Sequence, residues 1–157
     1  SKSKKSHLNL LLGSLHNLKA SGNTKISNTL HLLAESINKK GLIVLISDLL
    51  DNQSDVINGL KHFRYKGHEV IVFHIFDKKE MNLDFNSSIK FIDLENNESV
   101  ITDPNHIRLD YKQAVDSFYK TYKKQCEKNK IDYVKICTSE PLEKSLIEYL
   151  IKRNKLV

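Results

Sequence analysis

Leu8, Leu11, Leu12, Leu15 and Leu18 recur at helical spacing, which predicts an amphipathic helix over residues 7–19. Ser21-Gly22-Asn23 breaks it. Ile26, Leu30, Leu33 and Ile37 mark a second helix, closed by Asn38 and Gly41. The pattern then changes. Leu42 to Ile46 is a continuous apolar run, too short for a helix and rich in β-branched residues, ending at Ser47-Asp48. Such a run predicts a strand buried on both faces, as in parallel sheets. Val56, Ile57, Leu60 and Phe63 return to helical spacing and stop at Gly67, and Val70 to Phe76 is a second buried strand ending at Asp77. Strand, helix and strand with short connections make a βαβ unit.

Residues 89–94 and 99–102 alternate polar and apolar positions around Glu95-Asn96-Asn97-Glu98, which predicts a hairpin at a sheet margin. Asp103-Pro104 is a helix start, with the carboxylate as cap and proline at the first position. The long helix that follows runs to about Lys130 with Tyr111, Ala114, Val115, Phe118 and Tyr122 as its apolar stripe. Tyr133 to Cys137 is a third core strand. Pro141 opens a last helix whose buried face is expected to carry Leu142, Leu146, Ile147 and Leu150. Three strands are few for a sheet covered on both faces by so many helices, and the two opening helices follow no strand. Strands are therefore expected upstream of Ser1, and residues 1–157 are read as one partial, N-terminally truncated domain.

Composition narrows the class. Two cysteines, Cys126 and Cys137, with no paired spacing, argue against a disulfide framework or a zinc site and for reduced thiols in a cytoplasmic protein. No apolar run reaches the roughly 18 residues needed to span a bilayer. The net charge of +6 raises nucleic-acid binding through the lysine-rich stretch of residues 112–130, with Tyr119 and Tyr122 as stacking candidates. Lysine dominates that charge, however. Arginine, the preferred fork for bases and phosphates, occurs only at Arg64, Arg108 and Arg153, so nucleic acid is not the expected partner.

In open parallel sheets ligands bind beyond the carboxyl ends of the strands. Three clusters fall there: Ser47-Asp48 with Asp51, Asp77, and Thr138-Ser139-Glu140. The loop Gly22-Asn23-Thr24 is placed at the same rim by the helix that returns from it. A threonine hydroxyl and a carboxylate are hard oxygen donors suited to magnesium. Thr24 and Asp48 are thus the candidate metal ligands, with Ser47, Asp51 and Asn23 as further binding residues. The plainer alternatives are a cap for Thr24, a solvated turn for Asp48, and a turn cap at Lys78-Lys79-Glu80 for Asp77. His74 is read as core or margin. Ser47 lacks the flanking glycines of a nucleophile elbow, and no HExxH spacing or glycine-rich phosphate loop occurs.

The block from Lys40 to Asp51 resembles the bacterial "domain of unknown function 58" family. Gly67 to His74, Phe91 to Glu95, Ile131 to Tyr133 and Ser139 to Leu142 continue the likeness in order. That family is similar to von Willebrand factor A domains. The resemblance implies a three-layer, Rossmann-like α/β fold of that type, with a mostly parallel sheet and a hairpin insertion after the second strand. It also implies a metal-ion-dependent adhesion site, of which Thr24 and Asp48 match two parts. The third part, Asp-x-Ser-x-Ser, is absent from the chain, so Mg2+ is expected to bind weakly or not at all.

The function expected on these grounds is a non-catalytic protein-interaction module, assisting a MoxR-type ATPase in protein assembly. The alternative is a phosphotransfer or hydrolase-type enzyme that uses Asp48. That alternative needs further acids and a lysine at the strand tips, and Glu35 is the only carboxylate before Leu42. Loss of a neighbouring first strand would also leave residues 42–47 as an exposed apolar edge, which predicts a homodimer through that strand.

Overall fold

The computed structural model describes residues 5–19, 25–85, 89–92 and 98–154. In chain order these form α1 (Lys5–Asn17), α2 (Ile26–Ser36), β1 (Leu42–Ser47), α3 (Gln53–Tyr65), β2 (Glu69–Phe76), α4 (Lys78–Asn82), β3 (Ile89–Ile92), β4 (Ser99–Thr102), α5 (Pro104–Lys128), β5 (Asp132–Cys137) and α6 (Leu142–Asn154). The main sheet is parallel, in the order β1-β2-β5. Its register sets Val44 beside Ile71 and Phe73 beside Val134.

The element boundaries follow local chemistry. Asn52 caps α3 by accepting from the backbone N–H groups of Ser54 and Asp55 at 3.1 and 3.2 Å. The same helix ends at Gly67, whose φ of +84° is one that L side chains rarely adopt. The Asp103 carboxylate accepts from Asn105 N–H at 2.9 Å and Pro104 takes the first turn of α5.

Side chains alternate across the sheet and make three layers. On one face Val70 and Val72 meet Val56, Leu60 and Phe63 of α3 and Tyr122 and Cys126 of α5, while α2 packs Leu30 and Ala34 into the same cluster. On the other face Ile71, Phe73 and Ile136 meet Leu146 and Tyr149 of α6. Each fully buried aliphatic side chain contributes about 1.5–3 kcal/mol relative to exposure.

Three expectations need correction. The β1 strand lies at a sheet edge, as expected for residues 42–47, but it is not buried on both faces: Leu42, Val44 and Ile46 are exposed while Ile43 and Leu45 face the core. Among the described residues, nothing covers that half of the second face, because α6 sits over β2 and β5. The apolar face of α6 is narrower than its sequence predicts, with Leu142, Ile147 and Leu150 all about half exposed. The hairpin forms as β3 and β4, antiparallel, but as a separate two-stranded sheet rather than a margin of the parallel one. Its expected continuation to residue 94 lies outside the described residues. The short helix α4 was not anticipated; Asp77 caps it by accepting from Lys79 N–H at 2.8 Å. Cys126 and Cys137 are both free and buried. No helix among the described residues is long and apolar enough to cross a membrane.

Candidate functional site

The chain leaves β1 through Ser47, Asp48, Leu49, Leu50 and Asp51, and this loop is fixed at almost every residue. Leu49 is fully buried yet has φ of +57°, an uncommon conformation for a bulky side chain. Such a conformation persists only where surrounding contacts over-determine it. The Leu49 N–H donates to Ser47 Oγ at 3.0 Å. The Leu49 carbonyl accepts from Asp51 N–H at 2.9 Å and from the buried Tyr122 hydroxyl at 3.3 Å.

Beneath the loop lies His74, with no exposed surface. Its Nε2 is 2.8 Å from the Asp48 carbonyl oxygen, which can only accept, so Nε2 carries the proton. Nδ1 then accepts from the Tyr133 hydroxyl at 2.7 Å. The rings of Phe118, Tyr119, Tyr122 and Tyr133 surround the imidazole. Burial pushes His74 down to about 4, helped by the nearby Lys135 charge and opposed by the hydrogen bond to Asp48. His74 is therefore neutral at pH 7, and both of its nitrogens are engaged.

The expected site residues divide. Asp51 is structural: its Oδ2 accepts from the backbone N–H and the hydroxyl of Ser27, each at 3.2 Å, and its Oδ1 from Asn52 N–H at 2.6 Å. It acts as a cap for α2 supplied from 24 residues away, because Lys25 at the helix start offers no side-chain cap. These donors, the Ser27 N–H first, hold its carboxyl below the usual range. The Ser47 hydroxyl accepts from Leu49 N–H and so holds the turn. Asp48 is exposed, and its two side-chain hydrogen bonds, from Ser47 Oγ and Leu50 N–H, both fall on Oδ1. Thr24 and Asn23 lie outside the described residues, and Ser27, three positions beyond Thr24, touches Asp51 at this rim. At the next strand tip, Asp77 accepts from Thr138 Oγ1 at 2.6 Å, and this bond is the main cause of its lowered pKa.

Among the described residues no three of His, Cys, Asp and Glu are grouped so as to hold a metal ion. Asp48 Oδ2 is one uncommitted oxygen, and magnesium demands a near-octahedral oxygen shell. The described residues alone do not fit a magnesium site.

A hollow of about 320 Å³ opens beside Leu50, between α4 and α5. Sequence reading missed it. Leu50 looks like one more apolar residue in a run, yet it is 75% exposed. Tyr122, one of the two stacking candidates, is fully buried, and Tyr119 packs on His74.

Residues 1–120 match the family described as "Protein of unknown function DUF58". The chain belongs to that family. No curated protein and no solved structure matches it. The matched residues of this DUF58 chain include the whole Ser47–Asp51 loop, β2 with His74, and α5 as far as Lys120. The blocks at Ile131 to Tyr133 and Ser139 to Leu142, which also carry the resemblance, lie beyond them.

Proposed function

We propose that this DUF58 chain is a non-catalytic protein-interaction module of von Willebrand factor A type, docking its partner at the rim formed by the carboxyl ends of β1 and β2. The observation that carries the reading is the Ser47–Asp51 loop. Buried groups grip its backbone, while the Asp48 carboxylate and the Leu50 side chain point outward. A loop already held in one conformation loses little entropy when a partner covers it, which favours binding. Its chemistry does not favour turnover, because His74 beneath it has neither nitrogen free to move a proton.

Magnesium belongs to the same proposal in a minor role, with Asp48 and Thr24 as two of its oxygen donors and weak affinity in this chain alone. A MoxR-type ATPase is the partner class that the family resemblance implies. A second copy of the chain, paired along β1, is a further proposed partner. Biolayer interferometry of the chain against a purified MoxR-type ATPase from the same source tests the reading. Saturable binding that Asp48→Ala weakens by about tenfold or more is expected, the scale of a lost charge-assisted contact. Equal binding by the variant, or a covalent phosphoryl adduct on Asp48 after incubation with acetyl phosphate, would overturn it.

A further inference from the structure

We infer that the hollow beside Leu50 is an anchor pocket for an apolar side chain of the partner, carried on a segment with a lysine or arginine next to it. The inference rests on the interaction reading of the loop and names the chemistry that reading leaves open. Leu50, Met81, Tyr111, Val115, Phe118 and Tyr119 supply an apolar wall, and Ala114 and Glu80 complete the lining. Its volume of about 320 Å³ lies near the floor of the range for ligand sites, roughly 300–1,000 Å³. That suits one inserted side chain better than a cofactor. His74 and Tyr122 hold the carbonyls of Asp48 and Leu49, so the backbone that presents Leu50 to the pocket is fixed.

Charge decides the flanking residue. Glu80 lines the pocket, and the exposed Asp48 lies two residues before its Leu50 wall. Neither carboxylate is in an ion pair among the described residues. Two nearby cations are already engaged, Lys135 and Arg108. Lys135 Nζ sits 3.9 Å from the Tyr119 ring centroid and 4.6 Å from that of Phe76. Arg108 Nη2 donates to the carbonyls of Leu83 and Phe85. Lys78 and Lys79 line a different hollow, shared with Asp77 and Asp84. An incoming side chain therefore meets an apolar pocket lined by Glu80, with Asp48 two residues from its Leu50 wall, and a basic neighbour is the complementary one.

The test selects a random-peptide phage library on the immobilised full chain and measures binding of the synthesised winning peptides. Enrichment of an apolar residue next to lysine or arginine is expected. Ala114→Trp, which fills the pocket, should weaken those peptides on the order of tenfold or more, the scale of one buried apolar side chain. Ala114 is exposed, and Leu50→Asp changes a side chain 75% exposed, so two variants at exposed positions address the same pocket. Glu80→Lys should weaken binding as well. Peptides that Asp48→Asn weakens but that ignore both pocket variants would overturn the pocket and leave the interaction reading standing. Acid-flanked winners would overturn it too, as would an Ala114→Trp variant that dissociates a dimer of the chain. No enrichment, or binding indifferent to Asp48→Asn, would overturn both readings.

Discussion

His74 joins the core to the rim through two hydrogen bonds, one to the Asp48 carbonyl and one from Tyr133. His74→Phe keeps the ring and removes both. We expect a loss of about 1–3 kcal/mol in urea unfolding, the cost of leaving a part-buried polar pair unsatisfied. Acid should have a related effect. The folded chain holds His74 near 4, whereas an unfolded chain titrates it near 6.5. Between those values the unfolded state binds more protons, so stability falls as pH falls. The contribution is complete above pH 6.5 and lost by about pH 4, at most about 3 kcal/mol. Urea midpoints at pH 7 and pH 4.5 should therefore differ more for the native chain than for His74→Phe; parallel shifts in both would remove His74 as the cause. None of this was visible at residue level in the sequence. A histidine within an apolar run says burial, but the partner of each nitrogen depends on α5, β5 and the loop after β1 converging on it.

Helices α2 and α3 pack closely because of one small residue. A Cβ built on Gly59 would lie 2.8 Å from Leu30 Cβ and 3.2 Å from Leu30 Cδ1. Leu30 Cβ is tied to the backbone and cannot swing aside. In an isolated helix Gly59→Ala would gain about 1 kcal/mol of propensity. Here overpacking of about 1–3 kcal/mol should win, and thermal unfolding should show a lower Tm. The start of α2 depends on Asp51 rather than on its own sequence. Asp51→Ala should speed amide exchange at Ser27 in hydrogen-exchange mass spectrometry more than at Ser54 and Asp55, which the Asn52 side chain caps. Element identity was largely legible: the strand runs, the Asp103-Pro104 start of α5 and the hairpin all follow from local spacing. The cap of α2 was not, because the accepting carboxylate of Asp51 lies on the other side of β1 in sequence.

At the scale of the whole molecule the uneven covering of the sheet matters most. One face carries α3 and α5, while the other carries α6 over β2 and β5 alone, so Leu42, Val44 and Ile46 stay exposed along a free strand edge. Edge strands with exposed apolar faces pair with other chains. Self-association is expected in sedimentation velocity, and Val44→Lys with Ile46→Lys should shift the chain toward monomer with little loss of stability, since both positions are already about half exposed or more. A native chain that stays monomeric across the concentration series would exclude this pairing. The family match covers residues 1–120, and what it leaves open is the use of the rim. By itself the sequence determined which segments become strand or helix, because periodicity and caps act within a few residues along the chain. The edge position of β1 was already expected from the family resemblance, but only the tertiary structure decided that His74 holds Asp48 and that Leu50 opens onto a hollow. Each of those facts is a distance between segments, set by which faces pack together, and no local pattern encodes it.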